Sequence, residues 1–374
     1  MGQRKMDTDQ INRNLQVMCY YPQMVLNPRY RANKKNDGNI PQMIDEREKY
    51  VPVGCGWCRQ CRHQRASSWN IRLREEIKDC QDVLFITLTF SPDSLKQLIK
   101  ESEETECNEI ARYAVRKWLE RVRKRTKKSV RHWIVTELGQ NNTERIHMHG
   151  LLMLNDAEKA VFTKEFIEYT WKYGNVDVER VGKIFDIKYL TKYLFKFDKK
   201  HPYYRPKIMC SSGIGKAFLG RNTAQSATYR GADTHDYYLL DNGVKVGMPS
   251  YYRSKIYTDE QRIRLWMYRL DKNERWIDGV RIKLRTNADY IYFEQLLRVA
   301  QADNERLGYE KRGQQKRLYV VTKKMLEHLK KNVSLQRNSK PKRNENQIRI
   351  KRHSSNPKGY HDGSTFIKSI QLRN

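Results

Sequence analysis

No run of this 374-residue chain approaches the roughly 18–20 consecutive apolar residues that a membrane-spanning helix needs, so no bilayer span is expected. The opening Met1-Gly2-Gln3-Arg4-Lys5-Met6-Asp7 has no apolar core of a secretory leader, and Met6 stands where a myristoylation signal places Ser or Thr. Neither a leader nor a lipid anchor is therefore expected. The seven cysteines are few and unevenly clustered, which suits intracellular thiols and metal ligands better than a disulfide framework. Acidic residues are scarce beside basic ones, 43 Asp and Glu against 74 Lys and Arg, for a formal charge of +31. That imbalance favours a polyanionic partner, because each phosphate neutralised releases a condensed counterion. Also missing is a complete phosphate loop. Ser212-Gly213-Ile214-Gly215-Lys216 lacks the Walker spacing, so nucleotide hydrolysis is not expected, and its amides either line a substrate groove or form a turn. No small-molecule substrate is expected, and the one short internal repeat is Tyr-x-x-Lys, twice in succession.

What is present concentrates in two segments, His147-Met148-His149-Gly150 and Tyr189-Leu190-Thr191-Lys192-Tyr193-Leu194-Phe195-Lys196. Two histidines separated by one residue on a strand point to the same side, so both imidazoles can reach one ion. The strand continues Leu151-Leu152-Met153-Leu154 and is therefore buried, where unpartnered imidazoles are costly. Glu137, at the end of the preceding strand, is brought beside them by a short hairpin. Two His and one carboxylate with open positions suit Mg²⁺ or Mn²⁺. On the second segment, Ile187, Leu190, Leu194 and Phe197 form an apolar stripe at helical period. Tyr189 and Tyr193 project away from it, four apart on one face, beside Lys192 and Lys196. A phenol with pKa near 10 needs help to attack at neutral pH, and a neighbouring ammonium favours the phenolate or the leaving oxyanion. A metal beside paired tyrosines is an arrangement for attacking phosphodiesters.

Cys55-Gly56-Trp57-Cys58-Arg59-Gln60-Cys61 supplies three thiolates at zinc-like spacing. A ferredoxin cluster wants a further Cys where Arg65 stands. Cys19 is the expected fourth ligand of a structural Zn²⁺ site, with His63 as competitor. Tyr203, Tyr204, Tyr237, Tyr238, Tyr251 and Tyr252, interleaved with Arg205 and Arg253, either stack single-stranded bases or pack a core.

Along the chain, residues 1–50 are polar and turn-rich. A helix is expected over about 67–79, a strand over 84–90 closed by Ser91-Pro92, and a helix over 108–126. Strands over 131–138 and 146–154 flank Gln140-Asn141-Asn142-Thr143; then come a helix over 156–171, a strand near 176–181 and the tyrosine helix from Asp186. This order predicts an α+β domain with an antiparallel sheet. Charged helices follow at 258–272, 287–303 and 316–332, and from about 336 a basic, mobile tail. The expected division is 1–80, a Cys-rich zinc-binding arm; 81–257, the domain carrying the histidine pair and the tyrosine helix; 258–335, a helical charged region; and 336–374, the tail.

In order, Cys19, Cys55-Gly-Trp-Cys58-Arg-Gln-Cys61-Arg62, Phe85-Ile-Thr-Leu-Thr89, Thr136-Glu137-Leu-Gly139, His147-Met-His149-Gly150, Lys188 to Lys196, Ser212-Gly-Ile-Gly215 and Met248-Pro249-Ser-Tyr251-Tyr252 resemble the replication initiators of the Microviridae, especially the gokushovirus-like single-stranded-DNA phages. These are rolling-circle endonucleases of the HUH type. The resemblance covers roughly residues 18–257. It implies a five-stranded ferredoxin- or RRM-like antiparallel sheet with the histidines on a central strand. Glu137, His147 and His149 become metal ligands, and Tyr189 and Tyr193 become nucleophiles that form a 5′-phosphotyrosine intermediate. The expected activity is nicking and rejoining single-stranded DNA at a replication origin in a bacterial cytoplasm, with host helicase and polymerase as partners. A plasmid initiator or single-strand transposase would share this chemistry, whereas a non-catalytic zinc-containing nucleic-acid-binding protein would leave the tyrosine–lysine repeat unexplained.

Overall fold

The computed structural model describes residues 19–139, 145–181 and 204–309, together with Thr191, His201, Tyr319 and Val321. The short strands β1 (Gln23–Leu26) and β2 (Tyr50–Val53) pair antiparallel and lead to helix α1 (Arg59–Ile77). Five strands then form the main sheet: β3 (Asp82–Thr89), β4 (Arg131–Leu138), β5 (Ile146–Leu154), β6 (Val176–Arg180) and β7 (Ile208–Cys210). Their order is β6-β3-β5-β4-β7 and every neighbour is antiparallel. The fold is α+β, and the histidine strand β5 is central, as the sequence implied.

Period-two alternation gives the sheet two apolar faces. Ile146, Met148, Leu152 and Leu154 of β5 share one with Leu84, Ile86 and Leu88 of β3. Helices α2 (Pro92–Ser102) and α3 (Cys107–Thr126) cover that face, joined by α5 (Lys164–Trp171), which follows the one-turn α4 (Asp156–Lys159). Leu98, Ile110, Trp118 and Trp171 seal it, each such burial contributing about 1.5–3 kcal/mol. On the opposite face Val83, Phe85, Trp133, Val135, Leu151 and Met153 pack under Ala66, Leu73 and Ile77 of α1. Gly150 marks where β4 and β5 come closest: a Cβ there would lie 2.8 Å from Ile134 Cγ1 and 3.0 Å from the Trp133 carbonyl oxygen.

Three differences from the sequence reading have local causes. Helix α1 starts at Arg59 rather than near Ser67, because the Cys58 sulfur caps it by accepting from the Cys61 amide. Ser91-Pro92 ends a strand as expected but also starts α2, since the Ser91 hydroxyl accepts from the Ser94 amide. The single helix expected over 156–171 is two. An Asn155–Glu158 capping box closes the first turn, and Thr163 caps a fresh start at Lys164. Of the two alternatives for Ser212–Gly215, groove wall or turn, the structure has the turn. The Gly215 amide donates to Glu76 Oε2 (2.6 Å) and its carbonyl accepts from the Tyr252 hydroxyl (2.9 Å). Gly215 sits at φ +76°, and a Cβ would meet the Arg72 carbonyl oxygen at 2.6 Å.

The remaining described elements are α6 (Asn222–Gln225), β8 (Tyr237–Leu239) paired with β9 (Lys245–Gly247), α7 (Ser250–Ile256) and α8 (Asp259–Asp271), then β10 (Glu274–Ile277) paired with β11 (Val280–Lys283), and α9 (Asn287–Arg306). Tyr238 and Tyr252 are core residues around Phe218 and Ile71, and Tyr204 is buried against the main sheet, so core packing claims these three of the interleaved tyrosines. Tyr203, the expected helix at 316–332 (apart from Tyr319 and Val321) and the tail lie outside the described residues. No described helix is long and apolar enough to cross a membrane.

Candidate metal centres

Strand register assembles the first centre. Glu137 on β4 lies directly opposite His147 on β5, and His149 two residues on shares its face. Glu137 Oε2 is 3.2 Å from both His147 Nε2 and His149 Nε2. The remaining imidazole nitrogens are occupied. His147 Nδ1 lies 3.0 Å from the Arg145 carbonyl oxygen, which can only accept, an outer partner that orients the ring with Nε2 toward Glu137. His149 Nδ1 is 3.1 Å from Thr87 Oγ1 of β3, its register partner, and its ring stacks on Phe85 with centroids 5.8 Å apart. The two imidazoles meet edge to face at 5.0 Å. Only 12–20% of each of the three side chains is exposed, so the site is sheltered yet reachable. One ligand atom from each residue converges within 4.8 Å. Two imidazoles and one carboxylate converging on one point are a donor set that fits a divalent cation.

Sequence reasoning missed what holds this centre from behind. Thr136, adjacent to Glu137 but facing the opposite side, is fully buried. Its hydroxyl lies 2.6 Å from Asn108 Oδ1 and 2.7 Å from the Tyr204 hydroxyl, and accepts from the Lys207 amide at 2.8 Å. Complete burial pushes the Tyr204 phenol well above its ordinary range. The chain leaves the sheet at Val181, whose amide donates to the Val83 carbonyl (3.0 Å), and is pinned again at 204–207 on the back of the glutamate strand. Between these anchors lie Tyr189, Lys192, Tyr193 and Lys196, all outside the described residues, while Thr191 among them is helical and buried.

The second centre is a four-thiol cage. Cys19, Cys55, Cys58 and Cys61 place their sulfurs within 4.8 Å of one another, with Cys19–Cys58 and Cys55–Cys61 both 3.9 Å apart. A tetrahedral ion with metal–sulfur bonds of about 2.3 Å requires sulfur separations of about 3.8 Å. Gly56 at φ +75° makes the tight turn, which aims the Trp57 and Cys58 amides at the Cys55 sulfur (both 3.3 Å). The Cys55 amide in turn donates to the Cys19 sulfur (3.2 Å). Hydrogen bonding, from Cys19 first, holds the Cys55 thiol far below its ordinary range and lowers Cys58 to about 7. The expected fourth member, Cys19, is in the cage, and His63 is not among the converging groups. Helix α9 docks on this knot through Phe293, Leu296 and Ala300, with the Arg59 amide donating to Asn304 Oδ1 at 2.8 Å. The Arg205 guanidinium lies over the Trp57 ring and donates to the Gly56 carbonyl at 3.0 Å.

The antiparallel five-stranded sheet thus brings two histidines and a carboxylate together on one face. Residues 83–198 match the family described as replication-associated protein ORF2/G2P. The chain is also 25% identical over 253 residues to the replication-associated protein VP4 of Bdellovibrio phage phiMH2K, covering 62% of this chain and 72% of that protein. No solved structure matches. The resemblance to phage replication initiators drawn from the motifs therefore holds: both matches are replication-associated proteins, and the matched family segment contains Glu137, His147, His149, Tyr189 and Tyr193.

Proposed function

We propose that the protein nicks and rejoins single-stranded DNA at a replication origin and so drives rolling-circle replication of a small phage in its bacterial host's cytoplasm. The observation that carries the reading is the 3.2 Å convergence of Glu137 on His147 and His149, on a half-open face within the family-matched segment. Glu137, His147 and His149 would hold Mg²⁺ or Mn²⁺, which when bound polarises the scissile phosphate. A tyrosine oxygen, from Tyr189 or Tyr193, attacks phosphorus, its bond forming as the bond to the 3′ oxygen breaks. The proton passes from the phenol to that 3′ oxygen, assisted by Lys192 or Lys196. The product is a 5′-phosphotyrosine and a free 3′-hydroxyl that host polymerase and helicase can use. Attack by a 3′-hydroxyl on the same ester reverses the step and seals the strand, so no nucleotide cofactor is needed. The test is direct: single-stranded origin DNA with Mn²⁺ gives a denaturation-resistant adduct through the 5′ phosphate. A protein that binds such DNA but forms no adduct would instead be a non-catalytic binder.

For the thiol cage we propose structural Zn²⁺, because a closed, four-sulfur tetrahedral set leaves no position for substrate. Freshly purified reduced protein should hold about one zinc per chain. Cys58→Ser should lose it and lower the melting temperature by on the order of 10 °C, as the knot also seats α9. Iron in place of zinc, or a metal-free protein of parental stability, would overturn this assignment.

A further inference from the structure

A cleft of about 1170 Å³ lies between residues 27–41 with β2 on one side and α8 with Arg253 on the other, and none of Glu137, His147 or His149 lines it. One wall is apolar, formed by Ile40, Pro41, Pro52, Ile263 and Trp266. The rest is basic: Arg29, Lys34, Lys35, Arg253, Arg262 and Arg269 face it, against the carboxylates of Asp259 and Glu260. Those carboxylates form exposed bridges from α8 to the arm, Arg29–Glu260 at 3.2 Å and Lys35–Asp259 at 3.9 Å. Such pairs are weak and screened by salt, so a phosphate can replace either carboxylate at little cost. Behind the cleft Asp236 pairs with Arg269 and lies 3.8 Å from Arg253. Trp266 Nε1 and Arg253 Nε have no acceptor among the described residues, an unusual condition for buried donors.

Composition decides the ligand class. Six cations against the carboxylates of Asp259 and Glu260 select a polyanion. An indole and a proline-lined wall add surfaces on which unpaired bases stack, which the bases of a duplex cannot offer. We propose that this cleft binds a few nucleotides of single-stranded DNA away from the metal centre. Arg29, Lys34, Lys35 and Arg262 take the phosphates, and a base lies on Trp266. The inference rests on the reading of the chain as acting on single-stranded DNA, and assigns part of its grip on that strand to a second site.

The test uses the full chain with its zinc retained and no Mg²⁺ or Mn²⁺ added, and a labelled oligothymidylate of about 20 nucleotides, which lacks an origin sequence to cleave. Lys34→Glu combined with Lys35→Glu, on an exposed loop, should weaken binding about tenfold and lower the slope of log K against log salt by about one to two. Trp266→Ala should weaken it by roughly tenfold, the order of one lost base stack. If the alanine variant melts early, Trp266→Phe, which keeps a ring, should bind within about threefold of the parent. Parental affinity and slope in the lysine variant, or equal binding of a duplex with equal losses, would overturn the proposal. Loss of binding in these variants from a protein that never forms an adduct would remove the nicking reading and leave the cleft standing. An adduct-forming protein whose variants bind normally would remove the cleft alone.

Discussion

His149→Ala should reduce adduct formation by roughly a thousandfold or more, because losing several kcal/mol of charge stabilisation at the phosphate costs a factor of ten per ~1.4 kcal/mol. The substitution removes one of three groups that converge on a single point, with Glu137 Oε2 3.2 Å from His149 Nε2. It leaves the strand pairing of β5 untouched, since Thr87 and His149 pair through their backbones. Folding, the zinc content of the thiol cage and oligonucleotide binding without added Mg²⁺ or Mn²⁺ should therefore stay at parental levels. Thr87→Val gives a graded control. It removes the hydroxyl 3.1 Å from His149 Nδ1, the kind of outer partner whose loss costs about 10–100-fold. Omitting Mg²⁺ and Mn²⁺ should silence the parent, zinc retained, and adding Mn²⁺ should restore it. A His149→Ala protein that cleaves at the parental rate with added Mg²⁺ or Mn²⁺ would remove the metal assignment.

That centre was legible in the sequence because everything it needs is local. Period two puts His147 and His149 on one side, and the antiparallel pairing of β4 with β5, adjacent in sequence, puts Glu137 opposite His147. The expected strands at 131–138 and 146–154 are β4 and β5 to the residue, since long alternating or apolar runs between turn signals leave little freedom. The cage was legible for the same reason, three of its four cysteines lying within seven residues. What escaped depends on long-range register. Thr87 reaches His149 only because β3 lies beside β5, and Asn108, Thr136 and Tyr204 meet across three distant segments. Strands β7 to β11 have three or four residues each, too few to show a period, so partner strands determine them. Helix α2 went unread because Ser91-Pro92 stops a strand and starts a helix with the same two residues.

The double variant Tyr189→Phe with Tyr193→Phe should form no detectable adduct, while either single variant forms one at a reduced rate. Removing one phenolic oxygen deletes a nucleophile and keeps the ring, so packing is preserved and the change isolates chemistry. The expected division of labour follows from helical spacing: residues four apart share a face, and each tyrosine has its own lysine three residues on, Lys192 and Lys196. With one tyrosine holding the 5′ end, the other is free for the next cut. Single variants should therefore complete one nick and fail in repeated rounds. Peptide mapping of the adduct decides the matter, and the structure narrows the rivals. Tyr204 is 6% exposed with its hydroxyl committed to Thr136, and burial holds its phenol in the protonated form, so it is a poor nucleophile. Tyr203 lies outside the described residues. DNA found on Tyr203, or an adduct surviving in the double variant, would make the Tyr189–Tyr193 segment scaffold and end the mechanism proposed for it.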